Sequence, residues 1–241
     1  MLIDRFIYKD TLSELWHNVF GDSYSYIELI FNKDFDDSIL CFAELEGDEV
    51  VSAFYLLESS LLYNANTYKG YYLYAAATDK SHRGKGLMAK LIEEAQLYCK
   101  ENGYDFISLV PSEESLYGYY GRFGFVSAMY STSQNVSISD SYSTIDPMNY
   151  YYLRKKYCKD HIVFDELAFS YAADCLKAAG YDFCSDGNCI LIKNSENEII
   201  ELLSQDDENC KKHPFGMLYP INHKLKRNWK YTDIYMNIAL D

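Results

Sequence analysis

The residues best suited to do chemistry in this chain form the short stretch Ser81-His82-Arg83-Gly84-Lys85-Gly86. Two glycines separated by one residue let the main chain curl, so that successive N–H groups point at a single spot. A helix beginning directly after them would add the partial positive charge of its N-terminus. A pyrophosphate group would fit at such a junction, although a glycine pair alone also suits a plain tight connection between a strand and a helix.

The segments on either side of the glycines predict the elements that position them. Residues 70–78 form an apolar, aromatic run that predicts a buried strand. Downstream, apolar residues recur at spacings of three and four and predict an amphipathic helix that Asn102-Gly103 ends. These apolar residues are Met88, Leu91, Ile92, Ala95, Tyr98 and Cys99.

The same glycines also match the dinucleotide fingerprint G-x-G-x-x-A, with Asp105 at a suitable distance for a ribose hydroxyl. We disfavour that interpretation because residues 79–83 separate the strand from the first glycine. In addition, the preceding strands are predicted to be antiparallel and no second βαβ unit follows.

Three segments together carry a more specific resemblance. They are Tyr74-Ala75-Ala76-Ala77-Thr78, His82-Arg83-Gly84-Lys85-Gly86-Leu87-Met88 and Tyr120-Gly121-Arg122-Phe123-Gly124-Phe125. In this order they resemble the GNAT superfamily of acyl-CoA-dependent N-acyltransferases, with its [Q/R]-x-x-G-x-[G/A] phosphate loop and its later Y-x-x-x-G-F element. Ser81 departs from that pattern, since Gln or Arg is usual there. The resemblance covers roughly the first half of the chain. Within the family, the Ser112-Glu113 pair, together with the Gly-Arg-Phe-Gly-Phe run, resembles the branch that contains the multi-acetylating aminoglycoside enzymes.

The resemblance implies acetyl-CoA as the cosubstrate and assigns it a path along the chain. Two splayed central strands would leave main-chain groups of Ala75, Ala76 and Ala77 free to hydrogen-bond to the pantetheine arm. The cofactor-binding residues that the resemblance implies are Ala75, Ala76, Ala77, Thr78, Arg83, Gly84, Lys85, Gly86, Leu87, Met88, Ser112 and Tyr120.

The implied reaction moves an acetyl group to a primary amine of a small molecule or peptide, by direct attack in a ternary complex. An N–H donor would stabilise the developing oxyanion, and the resemblance points to the main chain at Ala76 or Ala77. Tyr120 would protonate the leaving thiolate, with Tyr117 as the substitute. The general base stays open among Glu58, Glu113, Glu114, a water chain and the C-terminal carboxylate beside Asp241.

A second class of function remains open, namely a catalytically silent CoA-binding module that acts as a regulator or interaction partner. Ser81 and the lack of an evident base favour it. Thiol release from acetyl-CoA with any amine would distinguish an enzyme from such a module.

The composition restricts the partners and the compartment. A net charge of −14 disfavours nucleic acid and anionic membranes. A cationic acceptor such as a polyamine or aminosugar would be attracted, although the acids also suit a merely solvated surface.

Seven cysteines without a repeated spacing predict reduced thiols and no metal site. No signal peptide or membrane span is predicted, so we expect a cytoplasmic protein. The sequence leaves open whether it forms a homo-oligomer.

The predicted fold class is α/β (α+β), with a mixed central sheet of the GNAT type, flanking helices and a smaller α/β C-terminal half. Residues 1–130 would form the acetyl-CoA-binding catalytic domain, and residues 144–241 an incomplete GNAT-like domain without a phosphate motif. In the first domain we predict helices over 11–20 and 24–31, strands over 39–45, 50–57 and 71–78, and a parallel strand over 106–110. In the second we predict a helix beginning at Asp146-Pro147, a helix over 165–179 ended by Gly180, a hairpin of 190–193 with 199–203, and strands over 215–219 and 231–240.

Overall fold

The computed structural model of the chain describes residues 1–32, 34, 38–133, 142–204, 211–236 and 238. The strands in these ranges are β1 (Leu2–Ile3), β2 (Ile39–Glu46), β3 (Glu49–Tyr63), β4 (Asn66–Thr78), β5 (Phe106–Leu109), β6 (Val126–Ser133), β7 (Ser143–Thr144), β8 (His161–Phe164), β9 (Tyr181–Ser185), β10 (Cys189–Asn194), β11 (Ile199–Ser204), β12 (Lys211–Pro220) and β13 (Ile234–Tyr235). The α-helices are α1 (Lys9–Phe20), α2 (Tyr24–Ile27), α3 (Leu87–Glu101), α4 (Glu114–Gly121), α5 (Pro147–Tyr157) and α6 (Glu166–Ala178). Among the described residues, no helix is both long and apolar enough to cross a membrane.

A mixed sheet in the order β1-β2-β3-β4-β5-β12-β6-β13-β8 forms the centre of the molecule, and β8 also pairs with β3. A smaller sheet has the order β11-β10-β9-β7. Strands β8, β12 and β13 all come from beyond residue 144, yet they belong to the same sheet as β1 to β6. The predicted α/β fold with a mixed central sheet is confirmed, whereas the division into two domains stays a prediction.

Strands β2, β3 and β4 form an antiparallel meander with tight turns. The sequence Gly47-Asp48 predicts a hairpin turn, and these two residues do connect β2 to β3, with Gly47 at φ +65°. Asn64 and Ala65 connect β3 to β4 with both φ angles positive, a conformation that matches the right-handed twist of a hairpin. The strands predicted over 50–57 and 71–78 were too short, because β3 and β4 pair with each other up to this turn, and the outer end of β3 also pairs with β8.

Helix α3 is confirmed and connects β4 to β5, which pair in parallel as predicted. Its buried side chains Leu91, Ile92, Ala95 and Cys99 belong to a core on one face of the sheet, here called the α3-side core. Helix α1 packs Leu12, Leu15 and Trp16 into a second core on the other face, the α1-side core. Removal of these apolar side chains from water stabilises both helices on the sheet.

The helices of the second half begin as predicted, because each has a side-chain cap. The Asp146 carboxylate accepts from the Met148 N–H with Pro147 in the first turn, and the Asp165 carboxylate accepts from the Ala168 N–H. The hairpin of β10 and β11 is also confirmed. The strand predicted over 231–240 was too long, because residues 231–233 form a turn and only β13 is a strand among the described residues of that range. Residues 237 and 239–241 lie outside the described residues.

A buried ion pair joins several elements of this half. The Arg154 Nε donates to Glu201 Oε2 at 3.0 Å, and the hydroxyls of Tyr150 and Tyr235 also donate to the Glu201 carboxylate. Arg154 further donates from Nη1 to the Ile162 carbonyl at 2.9 Å. The network therefore connects α5, β8, β11 and β13 through one carboxylate.

Candidate active site

The site begins where β4 and β5 separate. They pair only over Gly70–Tyr72 and Phe106–Ser108 in the described structure, while β4 continues to Thr78 with β3 on its other side. The approach at Gly70 is very close, since a Cβ there would lie 2.4 Å from the Phe106 carbonyl oxygen. The two strands are therefore held tightly together at one end and diverge at the other, which leaves one edge of β4 open from Leu73 onward.

A backbone irregularity lies on this open edge. The β3–β4 register shifts between Ala53 and Tyr55, and Ala75 opposite the shift has φ +50°. A non-glycine residue in this conformation costs about 1–3 kcal/mol, and such strain is concentrated at functional sites. A bulge also re-aims neighbouring main-chain groups. Ala75 and Ala76 thus line the gap with small side chains on a distorted backbone.

A cavity of about 260 Å³ occupies the gap between β4 and β5. Its walls come from both cores, with Trp16 and Tyr74 from the α1-side core and Leu73 and Tyr120 from the α3-side core. The other lining residues are Phe20, Asp22, Tyr72, Ala75, Ala76, Leu109, Val110, Ser112 and Leu116. This central cavity therefore connects the two faces of the sheet.

A second cavity of about 670 Å³ lies at the start of α3, and Ala76, Leu116 and Tyr120 line both cavities. Its other lining residues are Val19, Thr78, His82, Arg83, Gly84, Gly86, Leu87, Met88, Ala89, Tyr119, Arg122 and Phe123. This loop cavity borders the glycine segment that the sequence predicts as a phosphate site.

The glycine segment has the conformation that its sequence predicts. Gly84 and Gly86 have φ angles of +76° and +79°, and a Cβ at either would meet nothing within 4 Å. The backbone conformation, and not crowding, therefore requires glycine at these two positions. Gly86 caps α3, and the Lys90 N–H donates to the Gly86 carbonyl. Helix geometry leaves the N–H groups of the first turn free to bind an anion.

Side chains next to the glycines hold the loop in place. The Asp79 carboxylate accepts from the Ser81 N–H and contacts His82 Nδ1, each at 2.9 Å, while His82 Nε2 contacts Glu46 at 2.8 Å. These hydrogen bonds, first to Asp79 and then to Glu46, raise the pKa of His82. Asp79 thus caps the turn before the loop, and Ser81 donates to it from both its main-chain N–H and its hydroxyl. Ser81 has this role where the GNAT pattern has Gln or Arg.

Basic side chains surround the loop cavity in an otherwise acidic protein. His82, Arg83 and Arg122 line it, and Arg83 Nε donates to the Thr78 carbonyl at 3.1 Å. The Arg122 guanidinium lies over the Tyr119 ring, 4.9 Å from its centre. This local positive charge complements phosphate groups.

Tyr120 lies on α4 where the two cavities meet. The side chain is only 7% exposed and packs edge-on against Tyr119 and Phe125. Burial, together with the nearby Tyr119, raises the pKa of Tyr120 to about 12. Its phenol therefore stays protonated at neutral pH, as a proton donor must.

Asp22 is a lining residue that sequence reasoning missed. It follows Gly21, whose φ of +82° ends α1, and the Trp16 indole N–H donates to Asp22 Oδ2 at 2.8 Å. His17 Nδ1 contacts the Asp22 carbonyl at 2.7 Å. The signal in the sequence is weak, because Gly21-Asp22-Ser23 resembles any short connection between helices. The structure makes Asp22 a lining residue of the central cavity, with its carboxylate bonded to Trp16 of the same lining.

Other predicted residues lie outside the two cavities. Ala77 is buried, its carbonyl accepts from the Ser52 hydroxyl, and Lys85 is exposed. Among the candidate bases, Glu58 lies on β3 opposite Tyr71, and Glu113 and Glu114 flank the start of α4. Tyr117 lines neither cavity, and Asp241 lies outside the described residues. Asp105, the ribose candidate of the disfavoured dinucleotide alternative, accepts from the Lys69 N–H and from Asn222.

Comparisons with known proteins identify the class. The family model of the acetyltransferase (GNAT) domain matches residues 8–128, which span the loop, both cavities and Tyr120. The chain belongs to the GNAT acetyltransferase family. The predictions of a GNAT-type acyltransferase enzyme and of an acyl-CoA cosubstrate are therefore confirmed, while the incomplete GNAT-like nature of the C-terminal half stays a prediction.

Solved structures of low sequence identity share the fold. Eis1 from Mycobacterium abscessus is 8% identical with a TM-score of 0.66, over 92% of this chain and 72% of that one. A conserved protein from Enterococcus faecalis V583 is 9% identical with a TM-score of 0.64, over 92% and 71%. A GCN5-related N-acetyltransferase from Kribbella flavida is 12% identical with a TM-score of 0.63, over 91% and 71%. No curated protein sequence gives a match.

Proposed function

We propose that the protein transfers an acetyl group from acetyl-CoA to a primary amine of a small molecule or peptide, by direct attack in a ternary complex. The observation that carries the proposal is the junction of the two cavities at Ala76 and Tyr120. A cofactor with its phosphates in the loop cavity would extend its thioester into the gap beside β4. The acceptor would then approach from the α1 side of the same gap.

The oxyanion and the leaving group of the reaction each have a candidate residue nearby. An amine with a pKa of about 10 is mostly charged at neutral pH and first loses a proton to solvent. The neutral nitrogen then bonds to the thioester carbon while the carbon–sulfur bond breaks, and it releases its second proton to solvent. A main-chain N–H at the bulge, at Ala75 or Ala76, would stabilise the oxyanion. The departing sulfur takes a proton from the Tyr120 phenol, which regains one from solvent. The seven cysteines, scattered without a repeated spacing, support a cytoplasmic location.

Titration calorimetry with acetyl-CoA tests the cofactor site. In the double variant Gly84→Asp/Gly86→Asp, carboxylates would face the phosphates and strain the loop, so we expect affinity to fall at least about tenfold, or about 1.4 kcal/mol. Gly180→Asp/Gly187→Asp is the matched control. Gly180 and Gly187 also have positive φ angles, and a Cβ at either would meet nothing within 4 Å, but they line neither cavity. Equal binding by both double variants would contradict the loop assignment.

Thiol release with a panel of amines then tests the transfer. Release that depends on an amine supports the enzyme. Binding without turnover of any amine would instead favour a silent CoA-binding module, and no binding to the wild-type chain would refute the acetyl-CoA proposal.

A further inference from the structure

The α1 side of the central cavity has a wall of aromatic rings. Trp16, Tyr72 and Tyr74 are each at most 4% exposed, whereas Phe20 at the rim is 46% exposed. The rings hold one another in place, since the Trp16 ring centre lies 5.4 Å from that of Tyr74 and 6.1 Å from that of Phe20. An apolar body entering here would meet rigid surfaces and displace water from them.

Asp22 introduces the formal charge on this side of the cavity. It is the one Asp, Glu, His, Lys or Arg residue among the described residues that line the central cavity. The Trp16 N–H holds its Oδ2 at 2.8 Å, which fixes the carboxylate and leaves its other oxygen to receive a ligand. A single carboxylate neutralises a single ammonium group. The electron-rich faces of neighbouring rings attract the same cation.

The cavity is unsuited to an acceptor that carries several charges inside it. Each further ammonium group would lose its hydration and face an apolar wall, with no carboxylate to pair with. Burial of such an unpaired charge is costly. The volume of about 260 Å³ exceeds the roughly 150 Å³ of a cavity that binds benzene. One aromatic ring with a short amine chain would therefore fit beside the thioester that enters the same gap.

From these contacts we infer that the acceptor is a primary amine with one positive charge, carried on an aromatic body. Asp22 binds the ammonium, while Trp16, Phe20 and Tyr74 enclose the ring. This inference rests on the proposed transfer reaction, and it narrows the wider group of cationic acceptors that the net charge allows. It also makes Asp22 an acceptor-binding residue that selects by charge.

The test compares steady-state thiol release from acetyl-CoA with 2-phenylethylamine, hexylamine, 1,6-diaminohexane, spermidine and kanamycin. We expect kcat/KM for 2-phenylethylamine to exceed that of each polycation by at least about tenfold. Asp22→Asn keeps an oxygen for the Trp16 N–H but loses the charge. It should raise the KM for 2-phenylethylamine by about 10- to 100-fold and leave acetyl-CoA affinity unchanged.

Two further variants complete the design. Asp48→Asn makes the same change of charge in the exposed β2–β3 turn, and its KM should equal that of the wild type. Phe20→Ala should weaken the binding of 2-phenylethylamine more than that of hexylamine, because it removes a ring that encloses the aromatic body. Calorimetric titration of 2-phenylethylamine into the protein saturated with CoA gives a readout that needs no turnover.

The outcomes separate this inference from the proposed function. If spermidine or kanamycin is turned over faster than 2-phenylethylamine, or if Asp22→Asn leaves the KM unchanged, the inference of an aromatic acceptor with one charge is refuted. The proposal of acetyl transfer would still stand. Acetyl-CoA binding without thiol release for every amine would overturn both.

Discussion

Replacing Tyr120 with Phe removes one hydroxyl from the point where the two cavities meet. The ring is 7% exposed and packs against Phe125 at 5.8 Å between ring centres, contacts that a phenylalanine keeps. The lost hydrogen bond to a developing thiolate is worth about 1.5–3 kcal/mol, as for other bonds to charged groups. At about 1.4 kcal/mol for each factor of ten, kcat should fall by about 10- to 150-fold.

The assay is steady-state thiol release with a saturating amine, together with calorimetric affinity for acetyl-CoA. Because the hydroxyl acts on the leaving group, kcat should fall while affinity for acetyl-CoA stays within about twofold. Tyr117→Phe is the control, since it removes a hydroxyl from the same helix outside both cavities. A Tyr120→Phe enzyme with wild-type kcat would refute the proton-donor role. A loss in Tyr117→Phe alone would transfer that role to Tyr117.

Stability at high pH gives an independent check on the state of Tyr120. Its pKa is about 12 in the folded protein, against an ordinary value of 10. Since the folded pKa is raised, stability is unaffected below pH 10 and falls as pH rises from 10 to about 12, where the unfolded chain binds fewer protons. Urea unfolding of Tyr120→Phe should show less of this loss than the wild type does. Equal losses would mean that Tyr120 titrates normally.

Three more predictions concern the fold and the loop. Gly70→Ala should destabilise the protein by about 1–3 kcal/mol in urea unfolding, because its Cβ would lie 2.4 Å from the Phe106 oxygen; Gly118→Ala, in open space on α4, should instead stabilise it by about 0.5–1 kcal/mol. Acetyl-CoA affinity in a calorimetric pH series should fall as pH rises through the raised pKa of His82, because its positive charge is lost, and His82→Gln should flatten that dependence. Arg154→Met should lower the unfolding free energy by about 3–5 kcal/mol by leaving Glu201 buried without its cation, and adding Glu201→Gln should recover part of the loss.

Local signals in the sequence predicted the elements that they control. The caps at Asp146 and Asp165, the Gly47-Asp48 turn and the periodicity of α3 each act within a few residues, and all appear in the structure. The conformation of the predicted phosphate loop belongs to the same group, since Gly84 and Gly86 adopt the positive φ angles that favour glycine there. A short-range pattern therefore suffices where the physical cause is also short-range.

Long-range pairing could not be predicted in the same way. The strand over 215–219 was expected, but its position between β5 and β6 depends on pairing with residues about a hundred positions earlier. The pairing of the outer end of β3 with β8 likewise joins residues about a hundred positions apart. β-propensity predicts that a segment is extended, whereas burial and register across the whole sheet determine which strand it pairs with.

Asp22 shows why the acceptor side of the site is harder to predict than the cofactor side. Phosphate binding uses main-chain N–H groups, which demand glycine at fixed spacings and so leave a motif. The acceptor side uses side chains from α1, the α1–α2 turn and β4, and only the packing of α1 on the sheet brings them together. Trp16 and Tyr74 look like ordinary core residues in the sequence, and their proposed role in binding the acceptor depends on the gap between β4 and β5. Recognition of the acceptor is therefore a property of the tertiary fold, and substitutions there can change the substrate without changing the motif of the family.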